Sequence, residues 1–298
     1  MKQAVLSKLA WREQKPLLQA GSLKRKRIAV SDLLVYTAAI IVLFFLGCAI
    51  FPSWIAPYSP TSMVPTDIMK SPSLHHLFGT DYFGRDVFSV VVYGSRDSLI
   101  IGVAAAVFGA FAGGLIGAIA GYIGGAIDVI FMRLIDVLMA IPGILLALAV
   151  AAALGPSLIN IVLAVSISAI PGYARVIRGQ IMSIKGRPYI TAARSIGTRN
   201  VHIFLRHVLP NSLSPLLVMA TIGLGTSILV GSGLSFLGLG VIKEVADWGT
   251  LLSQGRGYLT VAWWICTFPG LAITLFVLSI NLMGDRFRDY IDPKQSRN

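Results

Sequence analysis

Long runs of apolar residues, separated by polar segments, dominate the chain. Six of these runs approach the length of about 20 residues that a helix needs to cross a hydrocarbon layer about 30 Å thick. They lie at residues 33–53, 98–122, 137–154, 158–174, 212–240 and 261–283. The pattern predicts an all-α integral membrane protein with about six transmembrane helices.

Composition supports this prediction. Of the 298 residues, 55% are hydrophobic and only 13% are charged, whereas a soluble domain carries about 25% charged residues. A soluble globular fold is therefore excluded.

The basic residues are distributed unevenly between the two sides of the membrane. Of the 25 Lys and Arg, eight precede the first apolar run, seven lie between Arg175 and Arg206, and four follow Asp285. The loops on the other side hold five basic residues against six acidic ones. Because basic loops stay in the cytoplasm, both termini are predicted to be cytoplasmic. The net charge of +12 is thus explained by topology and does not indicate nucleic-acid binding.

These patterns divide the chain into five segments. The segments are a basic cytoplasmic tail (1–32), a first transmembrane helix (33–53), an extracytoplasmic segment (54–96), a transmembrane core with a cytoplasmic loop at 176–211 (97–290), and a C-terminal tail (291–298). The extracytoplasmic segment is rich in proline and is expected to be irregular with short helices.

Glycine recurs at every fourth position of the second apolar run. The residues concerned are Gly109, Gly113, Gly117, Gly121 and Gly125. Small residues at this spacing allow two helix backbones to approach closely in a membrane, so they predict a packing face. The fifth run, rich in Gly, Ser and Thr from Gly223 to Gly240, fits either a polar path or tight packing.

The chain lacks the sequence signatures of an enzyme or an ion-coupled carrier. The apolar runs hold no cluster of ionisable residues, which argues against a proton-driven secondary transporter. No G-x-x-x-x-G-K-[ST] phosphate loop is present. His75 and His76 are the nearest candidates for a metal site but lack further ligands, and Cys48 and Cys266 imply no disulfide framework. We therefore predict no catalytic residue, no metal and no cofactor in this chain.

The cytoplasmic loop at 176–211 is long enough to be structured. Pro188 suits the first turn of a helix, Gly197 suits its end, and a second short helix would end at Pro210. The apolar residues Ile190, Ala193 and Ile196, rimmed by arginines, are expected to face a soluble partner. The alternative is a helix lying on anionic headgroups.

Residues 192–211, AARSIGTRNVHIFLRHVLPN, resemble the EAA loop of binding-protein-dependent ABC importer permeases, although Thr191 stands where the motif usually has Glu. Segments at 76–102, 124–150, 234–240 and 281–294 are similar to the C-type permease of the dipeptide, oligopeptide and nickel branch. In that family the loop docks on the ATPase subunit. The positions that the resemblance assigns to ATPase coupling are Thr191, Ala192, Ala193, Ile196, Gly197, Leu209 and Pro210.

The resemblance implies a type I ABC importer permease fold in the bacterial inner membrane. It further implies a second homologous permease, two cytoplasmic ATPases that use ATP and Mg²⁺, and an extracytoplasmic solute-binding protein. Transport would proceed by alternating access. The implied solute is a dipeptide or oligopeptide or a related compound, with glutathione, opines and nickel chelates also carried by such proteins.

Overall fold

A computed structural model describes residues 32–241 and 243–291 of the chain. Nearly all of the predicted N-terminal tail (1–32) and C-terminal tail (291–298) lie outside the described residues. The described chain consists of helices and connecting loops, with an isolated bridge between Thr80 and Asp86. The prediction of an all-α fold is confirmed.

Eleven α-helices follow one another along the described chain. They are α1 Asp32–Ile50, α2 Pro52–Ile55, α3 Val87–Ile123, α4 Gly125–Met139, α5 Gly143–Leu154, α6 Leu158–Lys185, α7 Pro188–Ser195, α8 Asn200–Ile203, α9 Leu209–Leu234, α10 Trp248–Gly255 and α11 Trp264–Ile291. Phe204–Val208 and Ser235–Leu239 are π-helical, and Pro65–Asp67 and Arg256–Tyr258 are 3₁₀ turns.

Five helices of the described chain are long and apolar enough to cross a membrane, and the bent pair α4–α5 brings the number to six if it counts as one span. The span predicted over 137–154 is not one continuous helix, because α4 ends at Met139 and α5 leaves it at an angle of 89°. Pro142, which has no N–H and takes an extended conformation before α5, lies at the break. The 12 residues of α5 extend only about 18 Å, too short to span alone.

The long helix α3 runs through the centre of the molecule and joins three apolar clusters. At its first end, α3 packs with α1, α10 and α11 around Trp248, which is fully buried. Its middle packs against α5, α6 and α9 around Ile101 and Ile161. Its last turns meet the ends of α6, α7 and α8 around Ile181. One helix thus contributes residues to all three clusters.

The extracytoplasmic segment holds two short helical pieces and then enters α3 at Val87, within the range predicted to be irregular. Polar contacts hold it together: the Nε of Arg85 donates to the Asp81 carboxylate at 2.7 Å, and the indole of Trp264 donates to the carbonyl of Thr80 at 2.9 Å. The ring of His76 lies 3.0 Å from the Asp86 carboxylate. Cys48 and Cys266 are free thiols.

Candidate functional site

The loop predicted to be cytoplasmic forms a helical elbow, made of α7, the turn at Ile196–Arg199, α8 and the π turn at Phe204–Val208. Pro188 occupies the first turn of α7, where its missing N–H leaves no bond unmade. Two hydrogen bonds end the helix: Gly197 N–H donates to the Arg194 carbonyl at 2.9 Å, and Thr198 N–H donates to the Ala193 carbonyl at 3.1 Å. This is a Schellman motif, which requires a left-handed residue at Gly197. Its φ is +81°.

One face of the elbow is packed against its own membrane helices. Ile190, Ile203 and Val208 are fully buried and lie against the isoleucines of α6 and against Ala118 of α3. The expectation that Ile190 faces a soluble partner is therefore wrong. Successive helical residues are about 100° apart, so Ile196, six residues on, points about 120° away from Ile190.

The opposite face of the elbow is apolar and open. Ile196 is 82% exposed, Val201 68% and Leu205 56%. Arg194 and Arg199 are exposed beside them. Val201 and Leu205 were not predicted as site residues, although their i, i+4 spacing within VHIFL places them on one helix face.

The remaining residues assigned to coupling fall on both sides of this elbow. Thr191, Ala192 and Pro210 are exposed, while Ala193 and Leu209 are partly buried. The set thus occupies two stretches of chain, 191–197 and 209–210, rather than a single face.

The prediction that the second short helix ends at Pro210 is wrong. The helical path continues from Asn200 to Leu239 through the proline. The π turn at Phe204–Val208 precedes Pro210, and there Leu209 N–H donates to the Phe204 carbonyl five residues back. Because a π turn bonds five residues back instead of four, it lets the helix continue although Pro210 has no N–H to donate. The elbow is therefore one end of a candidate membrane helix.

The elbow is also fastened to the end of α3. Lys185 Nζ donates to the carbonyl of Tyr122 at 2.6 Å, which satisfies an acceptor at the helix terminus. The Tyr122 hydroxyl donates to the Asn200 carbonyl, and its ring lies 4.7 Å from that of Phe204. Movement of α8 is thereby tied to α3.

The glycines of α3 face α6. A Cβ built at Gly113 would lie 2.6 Å from the Ile170 carbonyl oxygen, and one at Gly117 would lie 2.3 Å from that of Ala174. At Gly109 and Gly121 the nearest atoms would be 3.2 and 3.0 Å away. Gly125 does not belong to this face, because nothing lies within 4 Å of a Cβ built there and α3 has already ended.

Comparison with known proteins identifies the family. Residues 113–297, which include the elbow, match the family described as "Binding-protein-dependent transport system inner membrane component". A probable D,D-dipeptide transport system permease of Escherichia coli K12 is 41% identical over 261 residues, 88% of each chain. A glutathione transport system permease of Escherichia coli is 46% identical over 259 residues, 87% of this chain and 86% of that one.

Solved structures agree on the fold. The MetNI methionine ABC transporter, in an inward-facing conformation, superposes with a TM-score of 0.56 at 20% identity, over 69% of this chain and 97% of that one. An amino acid ABC transporter gives a TM-score of 0.55 at 16% identity, over 68% and 95%. The chain belongs to the family of binding-protein-dependent transport system inner membrane components and is a multi-pass inner-membrane permease subunit of an ABC importer, not an enzyme.

Proposed function

We propose that this permease imports a short peptide or peptide-like solute and that residues 176–211 couple its helices to a cytoplasmic ATPase. ABC importer permeases act with ATPase and solute-binding partners. The proposed assembly contains a second homologous permease, two ATPase subunits that bind ATP and Mg²⁺, and an extracytoplasmic binding protein. The proposal assigns no cofactor to this chain.

The observation that carries the coupling role is the division of the elbow into two apolar faces. Ile190, Ile203 and Val208 anchor it to α3 and α6, while Ile196, Val201 and Leu205 face outward. An apolar patch with charged residues at its rim is typical of a protein interface. A soluble ATPase in the cytoplasm is the partner that such a patch suits.

The continuity of the helical path supports transmission of force. The outward residues Val201 and Leu205 lie on the same helical path as α9. This path runs from Asn200 to Leu239. A rigid-body movement of the ATPase against these residues would tilt α9 directly and would move α3 through the contacts of Tyr122 with Asn200 and Phe204. Closure of two ATPases on ATP would in this way switch the access of the central path.

The solute class rests on the relatives. One is named a probable D,D-dipeptide permease and another a glutathione permease. Both solutes have amide bonds and free carboxylates, so a short peptide backbone is the shared chemistry. The delivery protein would set the remaining selectivity.

Cysteine cross-linking tests the coupling interface. A cysteine at Ile196, 82% exposed on the elbow, should cross-link to a co-purified ATPase subunit. A cysteine at Leu74, 96% exposed in the extracytoplasmic segment, is the matched control and should link only to a solute-binding protein. Cross-linking of Ile196→Cys to the binding protein, or failure of any ATPase to co-purify with an intact complex, would refute the proposal.

A further inference from the structure

A groove runs along the surface of the molecule between α1 and α3, toward the end of α3 that lies opposite the elbow. It has a volume of about 660 Å³. On α3 its wall extends from Arg96 to Phe108, which is about 18 Å of helix. On α1 its wall is the last turn, from Leu46 to Ile50. Within the described chain, Arg96 is the only residue of this lining whose side chain is polar.

Arg96 lies at the mouth of the groove, at the edge of the apolar part of the molecule. The run of α3 predicted to cross the membrane starts at residue 98, and α1 ends beside it at Ile50. Trp54, just past that end, is 86% exposed, as is typical of tryptophans at a membrane–water interface. Side chains on a helix lean toward its N-terminus, so the guanidinium of Arg96 leans away from the bilayer centre and toward the headgroups.

An open apolar stripe follows Arg96 along α3. Ile100, Val103 and Val107 lie four, seven and eleven residues after it, a spacing that places all four residues on one side of a helix. These three side chains are 42%, 42% and 58% exposed. A cation thus heads an apolar track that descends into the membrane.

The basic residues predicted to share this side of the membrane have partners within the protein. Lys243 Nζ lies 2.9 Å from the carboxylate of Asp97, the residue next to Arg96. The others are paired as follows: Lys70 with Asp67, Arg85 with Asp81, and Arg256 over the ring of Phe236. In the described part of the chain, no ion pair or ring contact of this kind engages Arg96. An exposed arginine is commonly hydrated instead, so it is the apolar groove beneath the charge that indicates a particular ligand.

We propose that this groove binds one phospholipid, with its phosphate on Arg96 and an acyl chain along the stripe of α3. Guanidinium pairs with phosphate through two parallel hydrogen bonds, which makes arginine well suited to this contact. A water-soluble anion would find a single cation and no other polar side chain in the lining. An uncharged apolar molecule would leave the arginine unused. A phospholipid matches the charge and the track together, whatever solute the permease carries.

Lipid binding to the complete transport complex tests this inference. The purified, delipidated complex is titrated with dioleoyl phosphatidylglycerol and the bound lipids are counted by native mass spectrometry. Arg96→Gln, which keeps the length of the side chain and removes its charge, should weaken the binding of one lipid per copy of this chain about tenfold. Dioleoylglycerol has the same tails but no phosphate, so it should bind equally weakly to both complexes.

Val107→Trp tests the track separately from the charge, because the indole would fill the groove beneath an intact Arg96. It should also displace one lipid. Val129→Trp is the matched control, since Val129 is on α4, outside the groove, and both valines are 58% exposed. Its lipid count should equal that of the wild type.

Three results would overturn the inference and leave the permease function standing. Equal phosphatidylglycerol binding by the wild type and Arg96→Gln would show that the charge holds no lipid. Loss of lipid in Arg96→Gln but not in Val107→Trp would show that a headgroup binds without the groove. Loss of the second permease or of the binding protein from the Arg96→Gln complex would mean that Arg96 pairs with a protein carboxylate instead.

Discussion

Arg178 of α6 donates two hydrogen bonds to the carboxylate of Asp128 of α4, from Nε to Oδ1 at 2.5 Å and from Nη2 to Oδ2 at 2.6 Å. The two side chains are 30% and 16% exposed. A bidentate pair that is mostly shielded from water fixes orientation as well as distance. Because α4 leads into the break before α5, this pair ties the bent part of the membrane domain to the central helices.

Replacing Asp128 by Asn should therefore loosen α4. The change leaves the partly buried Arg178 without its countercharge, and we expect a loss of about 1–3 kcal/mol in stability. The measurement is the thermal denaturation midpoint of the purified complex.

Asp136→Asn is the matched control for that change. Asp136 pairs with Arg175, also between α4 and α6, but both side chains are about half exposed (54% and 50%). Exposed pairs contribute about 0–1 kcal/mol, so the midpoint should move little. Equal shifts for the two variants would contradict the role given to Asp128.

The glycine face of α3 makes a second prediction. Gly117→Ala places a Cβ 2.3 Å from the Ala174 carbonyl oxygen, so α3 and α6 must separate. Overpacking of this kind costs about 1–3 kcal/mol and should lower the amount of assembled complex. Gly179→Ala on α6 is the control, because its Cβ meets no atom within 4 Å and alanine favours a helix. Equal yields of both variants would show that the backbones can separate freely.

Topology supplies a third prediction. A cysteine at Ser73, exposed in the extracytoplasmic segment, should react with a membrane-impermeant maleimide in intact cells. A cysteine at Thr191, exposed on α7, should react only after the membrane is opened. Labelling of Thr191→Cys from outside would reverse the orientation deduced from the basic loops.

The elbow shows how far the sequence carries a structural prediction. The proline at 188 and the glycine at 197 predict the ends of α7 correctly, because both residues have strong local backbone preferences. The sequence does not show which of Ile190 and Ile196 faces the membrane helices. Hydrophobic periodicity identifies an apolar face of a helix but not the surface against which that face packs. Only packing against α3 and α6 decides that Ile190 is buried.

Two other features depend on contacts distant in the sequence. A proline predicts an interruption at residue 210, but the preceding π turn lets the helix continue, and the sequence carries no signal for that turn. Tyr173 reads as an ordinary aromatic residue in an apolar run. Its position between α3 and α9 depends on Gly113 and Gly223, which lie on those two helices.

The last prediction concerns the turn at Gly197. Its φ of +81° is accessible to glycine at little cost, whereas a β-branched residue there is strongly disfavoured. No atom lies within 4 Å of a Cβ built at this position, so a substitution acts through the backbone and not through a clash. Gly197→Val should therefore break the Schellman turn and displace Ile196, while Gly197→Asn should be milder because asparagine tolerates this conformation.

Since Ile190, Ile203 and Val208 still anchor the elbow, the Gly197→Val permease should insert in the membrane and accept its loaded binding protein. Solute-stimulated ATP hydrolysis and uptake should fall together in reconstituted vesicles, more for valine than for asparagine. Arg199→Ala, which removes an exposed rim charge, should have a much smaller effect. Wild-type stimulation and uptake in Gly197→Val would mean that the conformation of this turn does not matter for coupling, and the ATPase would have to act on the membrane helices through another surface.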